Sequence, residues 1–366
     1  MSAHEPLFRC ARCGQPAGSL DWRCEACGGP LKLRQRPEFD ESTVTDEWSL
    51  WRYAALLPVQ RRFSLGEGAT PLVPARLPDG PVYAKLEYLN PTGSYKDRGT
   101  ALLVNHLLAH GVSQVVEDSS GNAGASLAAY ASASGIQARI FAPASAPAGK
   151  KRLIAACARL VEVDGLRSAA TAACREAARS AVYASHAWSP LFIAGQMTCA
   201  WEVWEQLGRR APDAVICPVG QGGLFLGLAE GFAALRRAGL IPQLPRLYAV
   251  QSAACDPVVR AWEAGRDEPA AVAEQPTIAD GIVVSQPVRG PEILRALRQT
   301  GGLALRVDDA ALQTAQAVLH QRGLLVEPTS AAAAVVLPTV HAHAGSGAAV
   351  VMVLTGSGLK TLHAHG

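Results

Sequence analysis

From Val82 onward the chain alternates short apolar runs with amphipathic stretches. The apolar runs predict strands at Val82–Leu86, Gln114–Glu117, Ala138–Ala142, Leu160–Val163, Ala214–Val219, Leu247–Gln251, Ala304–Val307 and Ala349–Leu354. Between them, apolar positions recur at helical spacing. They predict helices over Thr100–His110, Ala123–Ser134, Leu166–Ser180, Gln196–Gly208, Leu224–Gly239, Ile293–Thr300, Asp309–Arg322 and Ser330–Val336. Repeated strand–helix units argue for the α/β class, with open, mostly parallel sheets covered by helices. Ahead of this body, Arg34–Phe63 reads as a connector with one helix, Trp48–Leu57, and Gly66–Leu72 as a turn-rich approach. No internal repeat and no low-complexity segment interrupts the pattern.

Composition narrows the function classes. The chain has 366 residues, 49% apolar and 18% charged, with a net charge of +3. That length predicts two or three domains and a large core. The charge is too small to argue for nucleic acid or membrane as a partner. The start, Met1–Pro6, has neither a basic n-region nor an apolar h-region, so no signal peptide is expected. The longest apolar runs, Ala331–Leu337 and Ala348–Leu354, are too short to span a bilayer. A cytoplasmic enzyme is the expectation.

Of the nine cysteines, Cys10, Cys13, Cys24 and Cys27 form two Cys-x2-Cys knuckles, followed by Gly28 and Gly29. Such knuckles present four thiolates tetrahedrally to zinc in a rubredoxin-like or zinc-ribbon unit. Four protein ligands leave no open position, so a metal here is structural. A redox pair, or a module that has lost its metal, is the alternative. Arg9, Arg12, Arg23, Lys32, Arg34 and Arg36 flank the knuckles, which leaves a nucleic-acid-binding ribbon as a further alternative, testable by salt-dependent binding. Cys157, Cys174, Cys199, Cys217 and Cys255 sit in apolar contexts and read as buried small hydrophobes.

Four segments carry candidate chemistry. Asn90-Pro91-Thr92-Gly93-Ser94-Tyr95-Lys96-Asp97-Arg98-Gly99 puts a lysine at the mouth of a helix, where the positive end of the helix disfavours the ammonium form. Ser119-Ser120-Gly121-Asn122-Ala123-Gly124 falls where a strand ends and a helix starts, the usual ligand edge of an open α/β sheet. An ordinary capped loop reads the same way. Pro218-Val219-Gly220-Gln221-Gly222-Gly223-Leu224 opens a helix after an apolar strand and suits a phosphate. Its spacing fits neither the dinucleotide fingerprint nor a P-loop. Thr355-Gly356-Ser357-Gly358-Leu359-Lys360 ends the last apolar strand.

Together these segments resemble those of the fold-type II pyridoxal-phosphate (PLP) enzymes, the tryptophan synthase β family, and within it the threonine synthase branch. Gly66-Glu67-Gly68-Ala69-Thr70-Pro71-Leu72 and the paired cysteines are similar to segments of that branch. The resemblance implies two α/β domains with PLP between them, and a homodimer. It implies Lys96 as the Schiff-base lysine that also moves the Cα proton. Asn122 would bind the cofactor's 3′ oxygen, and Ser119, Ser120 and Gly121 the substrate carboxylate. Gly220, Gln221, Gly222 and Gly223 would hold the phosphate, and Thr355 would face the pyridine nitrogen. Glu327 falls in a segment placed near the cofactor. The expected domains are a cysteine module (1–36), a connector and the start of the large domain (37–90), a small domain carrying Lys96 and the Asn122 loop (91–185) and a large phosphate-binding domain (186–366).

The implied activity is a PLP-dependent elimination or replacement on a small amino acid, as in threonine synthases acting on O-phosphohomoserine. A serine/threonine ammonia-lyase, a β-replacement enzyme acting on an O-activated serine, and a non-catalytic binding protein on the same scaffold are the alternatives. Three positions depart from the threonine synthase pattern. Ala123 stands where Thr or Ser is common, Phe192 where an arginine is expected and Met197 where a lysine is expected. Two lost cations would cost a phosphate pocket several kcal/mol, since each charge-assisted contact contributes about 1.5–3 kcal/mol. Arg139, Lys150, Lys151 and Arg152 are the cations that could substitute.

Overall fold

Apolar runs flanked by glycine-rich turns form the strands of two separate parallel sheets. The structure, a computed structural model, describes residues 7–146, 148–345 and 347–360. The signal-peptide expectation, which rests on Met1–Pro6, lies outside the described residues.

In chain order, β1 (Phe8–Cys10), β2 (Pro16–Ala17) and β3 (Leu31–Leu33) come first, then a hairpin of β4 (Leu72–Leu77) and β5 (Gly80–Lys85). Next follow α1 (Lys96–Ala109), β6 (Gln114–Glu117), α2 (Asn122–Ser134), β7 (Gln137–Pro143), α3 (Ala148–Cys157), β8 (Arg159–Val163), α4 (Arg167–Ala177) and β9 (Val182–Tyr183). Then come α5 (Pro190–Gln206), β10 (Ala214–Pro218), α6 (Gly223–Arg237), β11 (Arg246–Ser252), α7 (Pro257–Glu263) and α8 (Gly290–Thr300). The chain closes with β12 (Ala304–Val307), α9 (Asp309–Gln321), α10 (Pro328–Val335), α11 (Leu337–Ala344) and β13 (Val350–Val353).

The chain divides into two compact units. The first takes the residues up to Glu67 and Lys96–Gly195; the second takes Gly68–Tyr95 and the residues from Gln196 on. The sequence pattern placed its changes after residues 36, 90 and 185. The connector up to Glu67 groups with the first unit because it is bonded there. Asn105 Oδ1 accepts the N–H groups of Arg62 and Phe63, and Glu67 accepts from Tyr130 Oη (2.7 Å) and Trp51 Nε1 (2.7 Å).

The first unit holds an antiparallel sheet, β2-β1-β3, and a parallel sheet ordered β8-β7-β6-β9. The second holds one sheet ordered β12-β11-β10-β13-β5-β4, parallel except for β4. Every residue of β10 and β13 is buried, which explains their unbroken apolar sequences. Beneath this sheet Lys85 is fully buried. Its Nζ donates to Glu202 Oε2 (2.7 Å), the Thr70 carbonyl (2.6 Å) and Gln206 Oε1 (2.9 Å), which satisfies all three protons.

The structure corrects the sequence reading in places. Trp48–Leu57 is a 3-10 helix over Leu50–Leu56, broken at Tyr53 (φ −99°, ψ 19°); the bond from Trp51 to Glu67 outweighs regular helix geometry. Helix α5 begins at Pro190, six residues before the expected Gln196, because proline is already set for a first helical position. Helices α3, α7 and α11 and strands β4 and β9 were not anticipated. Cys157, at the end of α3, is exposed rather than buried, whereas Cys174, Cys199, Cys217 and Cys255 are buried.

Candidate active site

Lys96 is the first residue of α1, and Asn122 is the first of α2. The two helices are tied at their starts: Ser126 Oγ donates to Asp97 Oδ1 (2.6 Å) and lies 2.8 Å from Thr100 Oγ1. In the sheet β8-β7-β6-β9 the chain runs outward from β6 to β8 and then returns to β9 on the other side of β6. Connections therefore leave β6 and β9 in opposite directions, which makes their carboxyl ends a topological switch point, where open α/β sheets bind ligands. Ser119, Ser120 and Gly121 form the loop between β6 and α2 at this edge; Ser119 and Asn122 are buried. Gly124 lets α2 close onto the loop: a Cβ there would lie 2.0 Å from the Ser119 carbonyl oxygen.

Two residues that sequence reasoning missed join this edge. Glu117 ends β6, and His186 follows β9 by three residues. His186 Nδ1 lies 2.5 Å from Glu117 Oε1, and both side chains are buried. Burial first, and the neighbouring Asp118 second, push the Glu117 carboxyl up to about 8; the His186 N–H, Lys96 and Arg167 pull the other way. Burial, then Lys96 and Arg167, hold His186 well below its ordinary 6.5. The available sequence signal was the acid pair Glu117-Asp118 at the carboxyl end of an apolar strand. Asp118 itself accepts from Thr171 Oγ1 (2.6 Å) and Tyr183 Oη (2.5 Å).

Phe192 fills the place beside Lys96. Its ring centroid is 5.6 Å from Lys96 Nζ and 5.9 Å from the His186 ring, and the side chain is buried. The ring fits because Gly99 has no side chain: a Cβ there would lie 2.5 Å from the Phe192 ring. Met197 is buried. Of the substitute cations, Lys151 is paired with Glu162 (2.7 Å) and Lys150 is buried.

In the second unit, β10 pairs with β13 through Ile216↔Met352, so the loops after their carboxyl ends share one sheet edge. One is Gly220–Gly223, the other begins at Thr355. The first-turn N–H groups of α6 lack intrahelical acceptors and point out of the helix start. Gly222 caps α6 at φ +84°, a conformation that favours glycine, and a Cβ on it would force the Ile293 side chain, 2.3 Å away at Cδ1, to shift. Gln221 Oε1 accepts from the Val288 N–H (3.2 Å), which orients the side chain and leaves its Nε2, with the backbone amides, as this loop's anion donors. Thr355 Oγ1 lies 3.0 Å from Ser330 Oγ, and Glu327 is buried with its carboxylate against Gly356. The turn before Lys96 is bonded to the Thr355 loop: Tyr95 N–H donates to the Thr355 carbonyl (3.1 Å) and Ser357 N–H to the Gly93 carbonyl (2.9 Å). Within the second unit, a helix-start anion cradle and a hydroxyl at a strand end are a donor set that fits a phosphorylated cofactor.

The four N-terminal cysteines gather their sulfurs within 4.8 Å of one another. Cys10–Cys27 is 3.4 Å, and Cys13 lies 3.6 Å from both Cys24 and Cys27. A tetrahedron of metal–sulfur bonds of about 2.3 Å has edges of about 3.8 Å, so this set can hold a metal. The module packs on the first unit through Trp22, 5.1 Å from the Tyr183 ring and 4.9 Å from the Trp188 ring. Ser19 adds a bond, its carbonyl lying 2.7 Å from His106 Nε2.

Parallel α/β sheets with these loops define the class of fold-type II PLP enzymes. The family model described as "Pyridoxal-phosphate dependent enzyme" matches residues 63–356. The chain belongs to this family of PLP-dependent enzymes, in its threonine synthase-like, lyase branch. It is 32% identical to a threonine synthase of Methanocaldococcus jannaschii, over 97% of this chain and 93% of that protein. It is 33% identical to a threonine synthase of Mycobacterium tuberculosis, over 88% of this chain and 86% of that protein. Among solved structures, a T.th. threonine deaminase is 28% identical, covering 84% of this chain and 96% of its own, at a TM-score of 0.68. An L-serine ammonia-lyase from Rhizomucor miehei (24% identical, TM-score 0.69, 79% of this chain and 94% of its own) shares the fold. Among the described residues, no helix is long and apolar enough to cross a membrane.

Proposed function

We propose that this enzyme eliminates or replaces a β or γ substituent on a small amino acid, as a threonine synthase does with O-phosphohomoserine. The observation that carries the reading is the likeness to threonine synthases along nearly the whole chain. Lys96 would hold PLP covalently, the amides of Gly220–Gly223 its phosphate, Asn122 its ring oxygen and Thr355 its ring nitrogen. When bound, PLP supplies an electron sink for the pair released at Cα. The amine of Lys96 removes the Cα proton. Ser119, Ser120 and Gly121 orient the substrate carboxylate. A dimer is the expected assembly.

One observation favours a second reading. The uncharged Phe192, whose ring centroid lies 5.6 Å from Lys96 Nζ, stands where a phosphate-binding arginine is expected. That favours an unphosphorylated substrate, hence a serine/threonine ammonia-lyase or a β-replacement enzyme. One panel decides: purified, cofactor-loaded protein is given O-phosphohomoserine, serine, threonine and O-activated serines, and phosphate, ammonia, 2-oxo acid and new amino acids are measured. Phosphate and threonine from O-phosphohomoserine support the first reading. Ammonia and 2-oxo acid from serine or threonine, with O-phosphohomoserine inert, support the second. A loaded protein that turns over none of them overturns both.

We further propose that Cys10, Cys13, Cys24 and Cys27 bind structural zinc. About thirty residues cannot build a core of their own, so metal and docking hold the module together. Metal removal is then expected to lower the melting temperature by several degrees and to change Trp22 fluorescence, with one zinc per chain by elemental analysis. A metal-free chain with unchanged melting and emission would contradict this.

A further inference from the structure

We propose that Glu117 and His186 form a positioning pair that sets the charge next to Lys96. The inference rests on the reading of Lys96 as the cofactor lysine. The pair bridges the switch point of the first unit's parallel sheet: Glu117 ends β6, His186 follows β9, and the substrate loop starts two residues after Glu117. One oxygen, Glu117 Oε1, meets both His186 Nδ1 (2.5 Å) and the His186 backbone N–H (3.4 Å). Phe192 lies next to both sides, 5.9 Å from the His186 ring and 5.6 Å from Lys96 Nζ.

A purely structural role explains this arrangement poorly. The β6–β9 edge is already held by Val115↔Val182, Val116↔Tyr183 and the bonds of Asp118 to Tyr183 and Thr171. A buried ionisable pair adds little stability over apolar residues of similar volume. Buried titratable groups pushed in opposite directions are instead a mark of acid–base sites.

The charged groups facing the pair are Asp118 from the loop after β6, Lys96 from α1 and Arg167 from α4; α5 contributes the uncharged Phe192. One mobile proton spans the 2.5 Å contact. While it is present the pair is neutral overall. Above about pH 8 it leaves, and a net negative charge stands beside Lys96. A negative neighbour favours the ammonium form and delays release of the amine. The coupling runs both ways, so loss of the Lys96 charge tightens the pair's hold on its proton.

The test uses the full chain without cofactor. Lys96 is labelled with trinitrobenzenesulfonate from pH 6 to pH 10, and the Lys96 peptide is quantified by mass spectrometry. Between pH 8 and pH 10 the wild type is expected to lag Glu117→Gln by roughly 10- to 20-fold, the effect of one charge at about 10 Å in a medium of effective dielectric about 20. His186→Gln keeps the buried carboxyl, the neighbouring Asp118 and the backbone N–H at position 186, so its lag should persist. A folded Glu117→Gln whose curve superimposes on the wild type overturns the proposal. In the wild type, the His186 ring titration followed by NMR should move to higher pH once cofactor is bound, and an unmoved titration overturns the proposal even if neither variant folds. Borohydride reduction and peptide mapping of the loaded protein separate the two readings. Cofactor on another lysine sinks the Lys96 assignment; cofactor on Lys96 with superimposed curves sinks the pair alone.

Discussion

Lys96→Ala is expected to reduce turnover by about 10⁴-fold or more while leaving the protein folded. In the proposed function this one amine both holds the cofactor and moves the Cα proton, and a positioned acid–base group alone contributes about 10²–10⁴-fold. The fold should tolerate the change. Lys96 is the first residue of α1, alanine is the best helix former, and the Asp97–Ser126 bond ties the start of the helix to α2. Cofactor should still bind, without covalent attachment, through the Gly220–Gly223 amides. Absorbance after borohydride treatment and dialysis reads the attachment, and the substrate panel reads the turnover. Rates within tenfold of wild type would overturn the assignment of Lys96.

What the sequence disclosed follows from where each signal resides. Strands β10 and β13 are covered on both faces, so their apolar runs stood out and were placed within a residue or two. The loops after them were legible because small residues must sit where backbone approaches an anion, as Gly222 does at φ +84°. Lys96 was legible as a helix-mouth lysine, although its helix begins four residues earlier than the pattern suggested. Glu117 and His186 were not legible as a pair. They meet only because β9 returns beside β6, and the two-residue β9 left no pattern of its own. The sequence marked Phe192 as a departure but could not reveal its cause, a slot opened by Gly99 on another helix. Trp22 was likewise silent: its partners, Tyr183 and Trp188, lie far along the chain.

Gly124→Ala should be the second most damaging single change, and the comparison with Gly121→Ala shows why. Both glycines border the loop proposed to hold the substrate carboxylate. A Cβ at Gly121 would meet nothing within 4 Å, and its φ of −107° suits any residue. A Cβ at Gly124 would lie 2.0 Å from the Ser119 carbonyl oxygen, 3.0 Å from its carbon and 3.1 Å from Ile140 Cγ2. Backbone cannot yield as a flexible side chain does, so either α2 or the loop must move. Overpacking of this kind costs about 3 kcal/mol, which should appear as a melting temperature lower by several degrees. A displaced loop would also misdirect the Ser119–Gly121 donors, raising KM at least tenfold, and a displaced Asn122 would weaken cofactor loading in part, the Gly220–Gly223 cradle of the other unit being untouched. Gly121→Ala should leave melting and KM within twofold and one or two degrees. If Gly124→Ala matched it, Ser119–Gly121 would not be the carboxylate loop, or the loop would have room that this packing does not provide.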